Sequence, residues 1–130
     1  MEVKIQAGIK GEQKLIVSEK DTASQYGSGL IDVFATPAMI GLMESTAQQS
    51  VMAFLPDNHI TLGTEVNIKH LKATPVGKEV SCFSELISVE GRQLVFKLSA
   101  YDDKGEIGNG FHTRVIVDKT KFLQKLLTQR

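Results

Sequence analysis

The chain has 130 residues, 42% apolar and 23% charged, which places it with ordinary globular domains and excludes disordered, collagen-like and coiled-coil classes. Fifteen basic residues balance fifteen acidic ones, so no net field recruits nucleic acid or an anionic membrane. Cys82 is the single cysteine and can form no internal disulfide, and residues 1–5 hold no apolar run of signal-peptide type; both fit a cytoplasmic, reducing location. The expectation is one domain over 1–130, long enough to bury a core without covalent staples.

The first thirty residues carry weak signals. Leu15 and Val17 alternate with Lys14 and Ile16, which predicts a strand over 13–18. Tyr26-Gly27-Ser28-Gly29 reads as a loop. Residues 36–55 then form the strongest helical pattern. Thr36 is a suitable N-cap and Pro37 falls at the first helical position, where its missing N–H costs nothing. Ile40, Met43, Ala47, Val51 and Phe54 make one apolar stripe. The other faces are also small or apolar, and Glu44 is the only charge in the segment. Glu44, Gln48 and Gln49 break any apolar run long enough to span a bilayer, so the helix is expected to be buried in protein on all sides.

After residue 58 the period changes from 3.6 to 2. Ile60, Leu62, Thr64, Val66, Ile68 and His70 are expected on one face of a strand, with Thr61, Glu65, Asn67 and Lys69 opposite. Further strands are predicted over 78–89, from Gln93 to Ala100 and over 107–117. Tight turns at Glu90-Gly91 and Asp102–Gly105 join them, and an amphipathic helix over 119–129 follows. Short connections require antiparallel pairing. One buried helix across an antiparallel meander is an α+β domain.

Few residues in this pattern can carry chemistry. Glu44 lies at the edge of an apolar stripe, where a carboxylate either reaches solvent or is held in a pocket as base or nucleophile. His70 ends the apolar face of its strand and gains a role only if a carboxylate orients it. Capping alone accounts for Thr36. Gly63 interrupts a good strand, which first suggests a bulge and second a backbone N–H offered to a substrate oxygen. His112 and Arg114 share a face with Gly108 and Gly110 in a pattern too loose to assign. There is no Gly-x-Ser-x-Gly or phosphate loop, and three histidines with one cysteine lack zinc-ligand spacing. Two tyrosines and no tryptophan offer no base-stacking platform.

Val33-Phe34-Ala35-Thr36-Pro37-Ala38-Met39, with Glu44 eight residues after Thr36, resembles the start of the core helix in the fluoroacetyl-CoA thioesterase-like family of hotdog-fold proteins. Gly63-Thr64, the run from His70 to Gly77, Val89–Arg92 and Ile107–Arg114 are similar to that family's later blocks, so the resemblance covers about residues 30–118. It implies a hotdog fold, a long central helix wrapped by a curved antiparallel sheet of five to six strands, assembled as a homodimer with active sites across the subunit boundary. It also implies hydrolysis of an acyl-CoA thioester, with CoA as part of the substrate and no separate cofactor or metal. By the same resemblance Thr36, Glu44 and His70 form the catalytic group, Gly63 supplies the oxyanion N–H and Arg114 contacts the ligand. The fluoroacetyl-CoA-selective pattern has an aromatic gate just ahead of the helix, where this chain has Leu30; the acyl specificity is therefore expected to differ. The rival readings are a hotdog dehydratase or hydratase and a non-catalytic acyl-CoA-binding module.

Overall fold

The computed structural model describes residues 5–129. In chain order these form β1 (Lys10–Ile16), a one-turn helix α1 (Ala23–Tyr26), the long helix α2 (Thr36–Val51), β2 (His59–His70), β3 (Glu79–Glu90), β4 (Gln93–Asp102), β5 (Gly105–Asp118) and α3 (Lys119–Thr128). The five strands make one antiparallel sheet in the order β1-β3-β4-β5-β2. The hairpins follow from their turns: Gly91, with φ +59°, takes the left-handed angle that the β3–β4 turn requires.

Helix α2 lies across one face of this sheet, packed mainly on β1, β3 and β4. The period-2 pattern of β4 sends Leu94, Phe96, Leu98 and Ala100 into the core, where Val80, Cys82 and Leu86 of β3 join them. Met39, Met43, Ala47 and Val51 close the core from the helix. Each fully buried side chain of this size contributes about 1.5–3 kcal/mol. Close approach at β5 depends on one glycine: a Cβ on Gly108 would sit 2.7 Å from the Met39 sulfur. The first turn of α2 is thereby seated against the sheet beside the end of β2. This is the hotdog arrangement of helix and sheet.

Several expectations change in detail. Helix α2 is capped by Ala35, whose backbone is extended (φ −73°, ψ 143°) and whose carbonyl accepts the Met39 N–H at 2.9 Å. Thr36 is already helical and Pro37 is the second helical residue, so the threonine hydroxyl is free for another partner. The α-helix ends at Val51, and Met52–Phe54 tighten into a 3-10 turn that leaves Phe54 exposed. Burial is one-sided: Pro37, Gly41 and Gln49 are exposed, and Ile40, Glu44, Ser45 and Gln48 are half-buried. The expected all-round burial is not met within one chain, because the sheet covers only one side of the helix.

On β2 the expected single face is broken by a bulge. Gly63 pairs with Arg114 and Glu65 with Thr113, leaving Thr64 without an opposite residue. One extra residue reverses the alternation. Thr61 and Gly63 therefore share the inner face of the sheet with Val66, Ile68 and His70, while Leu62 lies on the other side. Strand β1 begins three residues earlier than expected, and α1 occupies part of the segment read as loop. Helix α3 is amphipathic as expected, yet Phe122, Leu123, Leu126 and Leu127 remain exposed. Among the described residues no helix is long and apolar enough to cross a membrane.

Candidate active site

The five residues that the resemblance singles out fall into two clusters in one chain. In the first, Thr36 Oγ1 lies 2.8 Å from His70 Nδ1. The segment ahead of α2 is pinned to achieve this. Phe34 is buried and its N–H donates to the Thr74 carbonyl at 2.8 Å, and the Ala35 N–H donates to the Asp21 carbonyl at 2.8 Å. Thr74 is itself held by Asp102, its hydroxyl donating to the carboxylate at 2.9 Å. His70 comes from the last position of β2, opposite Gly108. A cleft of about 240 Å³ opens beside the pair, lined by Ala23, Val33, Leu71 and Lys72 among others. His70 Nε2 is buried with no well-formed hydrogen bond. Burial lowers the His70 pKa below the ordinary histidine value of 6.5, the Lys72 backbone opposing in part. The imidazole is therefore neutral at pH 7 and able to take a proton.

The second cluster gathers Glu44, Gly63, His112 and Arg114. Glu44 is two turns beyond Thr36, about 12 Å along the helix axis. Its Oε2 is 3.9 Å from His112 Nε2, and its side chain is 40% exposed. Arg114 can only donate, so its Nη1 donates to His112 Nε2 at 3.0 Å. The imidazole proton is thus on Nδ1, where it is donated to the Glu65 carbonyl at 2.8 Å. Arg114 also donates from Nε to Thr61 Oγ1 at 2.7 Å and from Nη2 to the Thr61 carbonyl at 2.9 Å. Burial lowers the His112 pKa, and it lowers that of Arg114 while the Glu44 charge opposes. Gly63 faces this group closely: a Cβ there would be 3.0 Å from both Glu44 Oε2 and His112 Cε1.

The bulge explains both features of Gly63 that the sequence offered as alternatives, an irregular strand and a close approach. It also turns the Glu65 carbonyl toward His112, which the sequence did not single out. The available signal was the i, i+2 alternation of His112 and Arg114: a buried arginine must find acceptors, and a histidine on the same face is one. Glu44 meets His112 and Arg114 here; His70 is about seven strand residues, or roughly 23 Å, from Gly63 along β2. Leu30 is 98% exposed and does not line the cleft beside His70. No group of three or more His, Cys, Asp or Glu side chains among the described residues is placed to hold a metal.

Comparison with known proteins agrees with this architecture. The sequence model of the fluoroacetyl-CoA-specific thioesterase family, FlK, matches residues 17–120. A fluoroacetyl-CoA thioesterase of Streptantibioticus cattleyicolor is 41% identical over 95 residues, covering 73% of this chain and 68% of its own. A solved structure of the fluoroacetyl-CoA thioesterase FlK superposes with a TM-score of 0.90 at 32% identity, covering 97% of this chain and 98% of that one. A hot-dog-like protein from Thermanaerovibrio acidaminovorans shares the fold, with a TM-score of 0.88 at 22% identity over 96% of this chain and 93% of its own. Fold and sequence together show that the chain belongs to the fluoroacetyl-CoA-specific thioesterase family, a family of thioester hydrolases.

Proposed function

We propose that this protein hydrolyses an acyl-CoA thioester to the free acid and CoA, in active sites shared between two copies of the chain. The observation that carries this reading is the division of the site along an edge strand. β2 borders the sheet, and residues 63–67 on it are exposed. Unpaired edges of this kind invite pairing with another strand. A two-fold axis between Val66 and Asn67 would set His70 and Thr36 of one copy beside Gly63 and Glu44 of the other. The same contact would cover the open side of α2.

In that assembly the parts suit thioester hydrolysis. Glu44 acts as nucleophile or as base toward water, and the Gly63 N–H stabilises the oxyanion as the new C–O bond forms. With Glu44 as base, the proton of the attacking water passes from Glu44 by way of neutral His70, oriented by Thr36, to the sulfur. The C–S bond breaks and CoA leaves as its thiol. With Glu44 as nucleophile, CoA leaves as thiolate, and water then hydrolyses the anhydride to free acid and Glu44. His70 takes that water's proton and delivers it to the thiolate. Arg114 stands beside the Glu44 carboxylate and gives that end of the site a positive charge. Membership of a hydrolase family favours this over hydration of an enoyl thioester and over binding without turnover.

Acyl selectivity is expected to differ from a strict fluoroacetyl preference, because Leu30 replaces an aromatic gate and points to solvent. The test is thiol release from a panel of short and medium acyl-CoAs, fluoroacetyl-CoA included. Comparable kcat/KM for acetyl and fluoroacetyl esters is the expected result; a preference of several thousandfold would show that another residue serves as the gate. Release of no thiol from any ester, with enoyl-CoA interconverted instead, would replace hydrolysis by hydration.

A further inference from the structure

A second cleft, about 520 Å³, opens at the other end of β2 from His70. Arg92 of the β3–β4 turn, His59 at the start of β2, and Lys121 and Lys125 of α3 line it. The two lysines are four residues apart and so share one helix face. Among the described residues none of Arg92, Lys121 and Lys125 has a carboxylate within 4.0 Å. The one carboxylate in the lining, Asp118, is engaged as the α3 cap: it accepts the Lys121 N–H at 3.1 Å and the Asn58 amide at 3.0 Å. Three fixed cations thus converge against one occupied carboxylate in a chain whose total charge is zero. Val117 and the exposed ring of Phe122 supply an apolar wall next to them. The frame is rigid where it matters, since the Arg92 carbonyl accepts the Ile116 N–H at 2.9 Å.

We infer that this cleft binds the phosphorylated adenosine end of the CoA substrate, its phosphates on Arg92, Lys121 and Lys125 and its base against Phe122. A cluster of unpaired cations beside an aromatic face fits a polyanionic group carrying a planar ring. The inference rests on the hydrolase reading above, and the geometry connects the two. His59 precedes Gly63 by four strand residues, about 13 Å, which a pantetheine arm can span between the thioester at Glu44 and Gly63 and the nucleotide in the cleft.

The test compares one acyl group on CoA and on pantetheine, which lacks the nucleotide. In the Arg92→Ala/Lys121→Ala/Lys125→Ala variant, KM for acyl-CoA should rise by about tenfold or more, with kcat unchanged and KM for acyl-pantetheine unchanged. Adenosine 3′,5′-bisphosphate should inhibit wild-type turnover of acyl-CoA competitively, less so at high salt, and should fail to inhibit the variant. An acyl-CoA to acyl-pantetheine KM ratio identical in wild type and variant overturns the inference, even if the bisphosphate binds. Turnover of neither ester would sink the hydrolase reading instead. The cleft is then decided by calorimetry with the bisphosphate: binding lost in the variant supports the nucleotide subsite, and no binding to wild type overturns it. All three side chains are exposed, so unchanged thermal midpoints are the folding control.

Discussion

The hydroxyl of Thr36 has one evident use, the contact with His70, because Ala35 caps the helix without it. The proposed catalytic role can therefore be tested apart from stability at that position. Thr36→Val should leave the thermal midpoint within the range of ordinary surface changes, about 0.5 kcal/mol, while lowering kcat; Thr36→Ser should keep both. An equal loss of midpoint and no loss of turnover would make Thr36 a purely structural residue. Gly63→Ala is the complementary case. The added methyl meets both Glu44 Oε2 and the buried His112 ring at 3.0 Å; the half-exposed carboxylate is the partner free to move, while the ring is held by two hydrogen bonds. Activity should fall by displacement of the carboxylate, with a smaller loss of stability from the contact on the ring. Proton chemistry is set at this scale too. The proposed role of His70 as proton acceptor requires the neutral ring, and burial holds its pKa below 6.5. The acid limb of kcat/KM should therefore have its midpoint below 6.5, and a midpoint above 7 would remove His70 from that role.

At the scale of elements, the bulge on β2 and the inner face of β5 are one construction. His112 bridges them by donating to the Glu65 carbonyl and accepting from Arg114. His112→Leu would keep the volume roughly constant but strand a carbonyl and a guanidinium N–H, a cost of about 1–3 kcal/mol or more since one group is charged. Equilibrium denaturation measures this; an unchanged midpoint would mean that the bulge persists without the bridge. The same imidazole links stability to pH. Burial lowers the pKa of His112 and of His70, so below 6.5 the unfolded chain binds protons that the folded chain refuses. From these two groups, stability is level above 6.5 and declines as pH falls through the lowered folded values. The thermal midpoint should drop between pH 7 and pH 5, and His112→Gln should show a smaller drop.

For the whole molecule, the division of the site predicts behaviour that no single chain can show. Glu44→Gln and His70→Ala should each lower kcat by roughly 10²-fold or more. If each site takes Glu44 from one copy and His70 from the other, mixing the two inactive variants should restore activity. With random exchange half the dimers are mixed and one of their two sites is intact, so about a quarter of wild-type activity returns. No recovery after verified subunit exchange would place both residues in the same chain's site. Val66 is 41% exposed on the edge strand beside the proposed axis. Val66→Arg would set two like charges together across it, and sedimentation should show the dimer and the activity lost in parallel. A fully active monomer would sink the shared site.

Most of the architecture was legible in local patterns along the chain. The 3.6-residue period of α2, the strict alternation of Leu94 to Ala100 and the glycine-marked turns are local signals, and local signals survive into the fold because each satisfies backbone hydrogen bonds and core burial at once. The motif around Thr36, together with Glu44, Gly63 and His70, was also legible through family resemblance. Other features were not, and the reason is the same for each. The cap of α2 passed from Thr36 to Ala35 because His70, 34 residues away, competes for the hydroxyl. The phase of β2 reversed at Thr64 because the partner strand supplies His112 and Arg114, which demand a carbonyl and a hydroxyl on the inner face. The grouping of Glu44 with His112 and of Thr36 with His70 depends on register between elements far apart in sequence. Period and propensity are properties of neighbours along the chain; which polar groups must be satisfied together is decided only when the sheet closes over the helix.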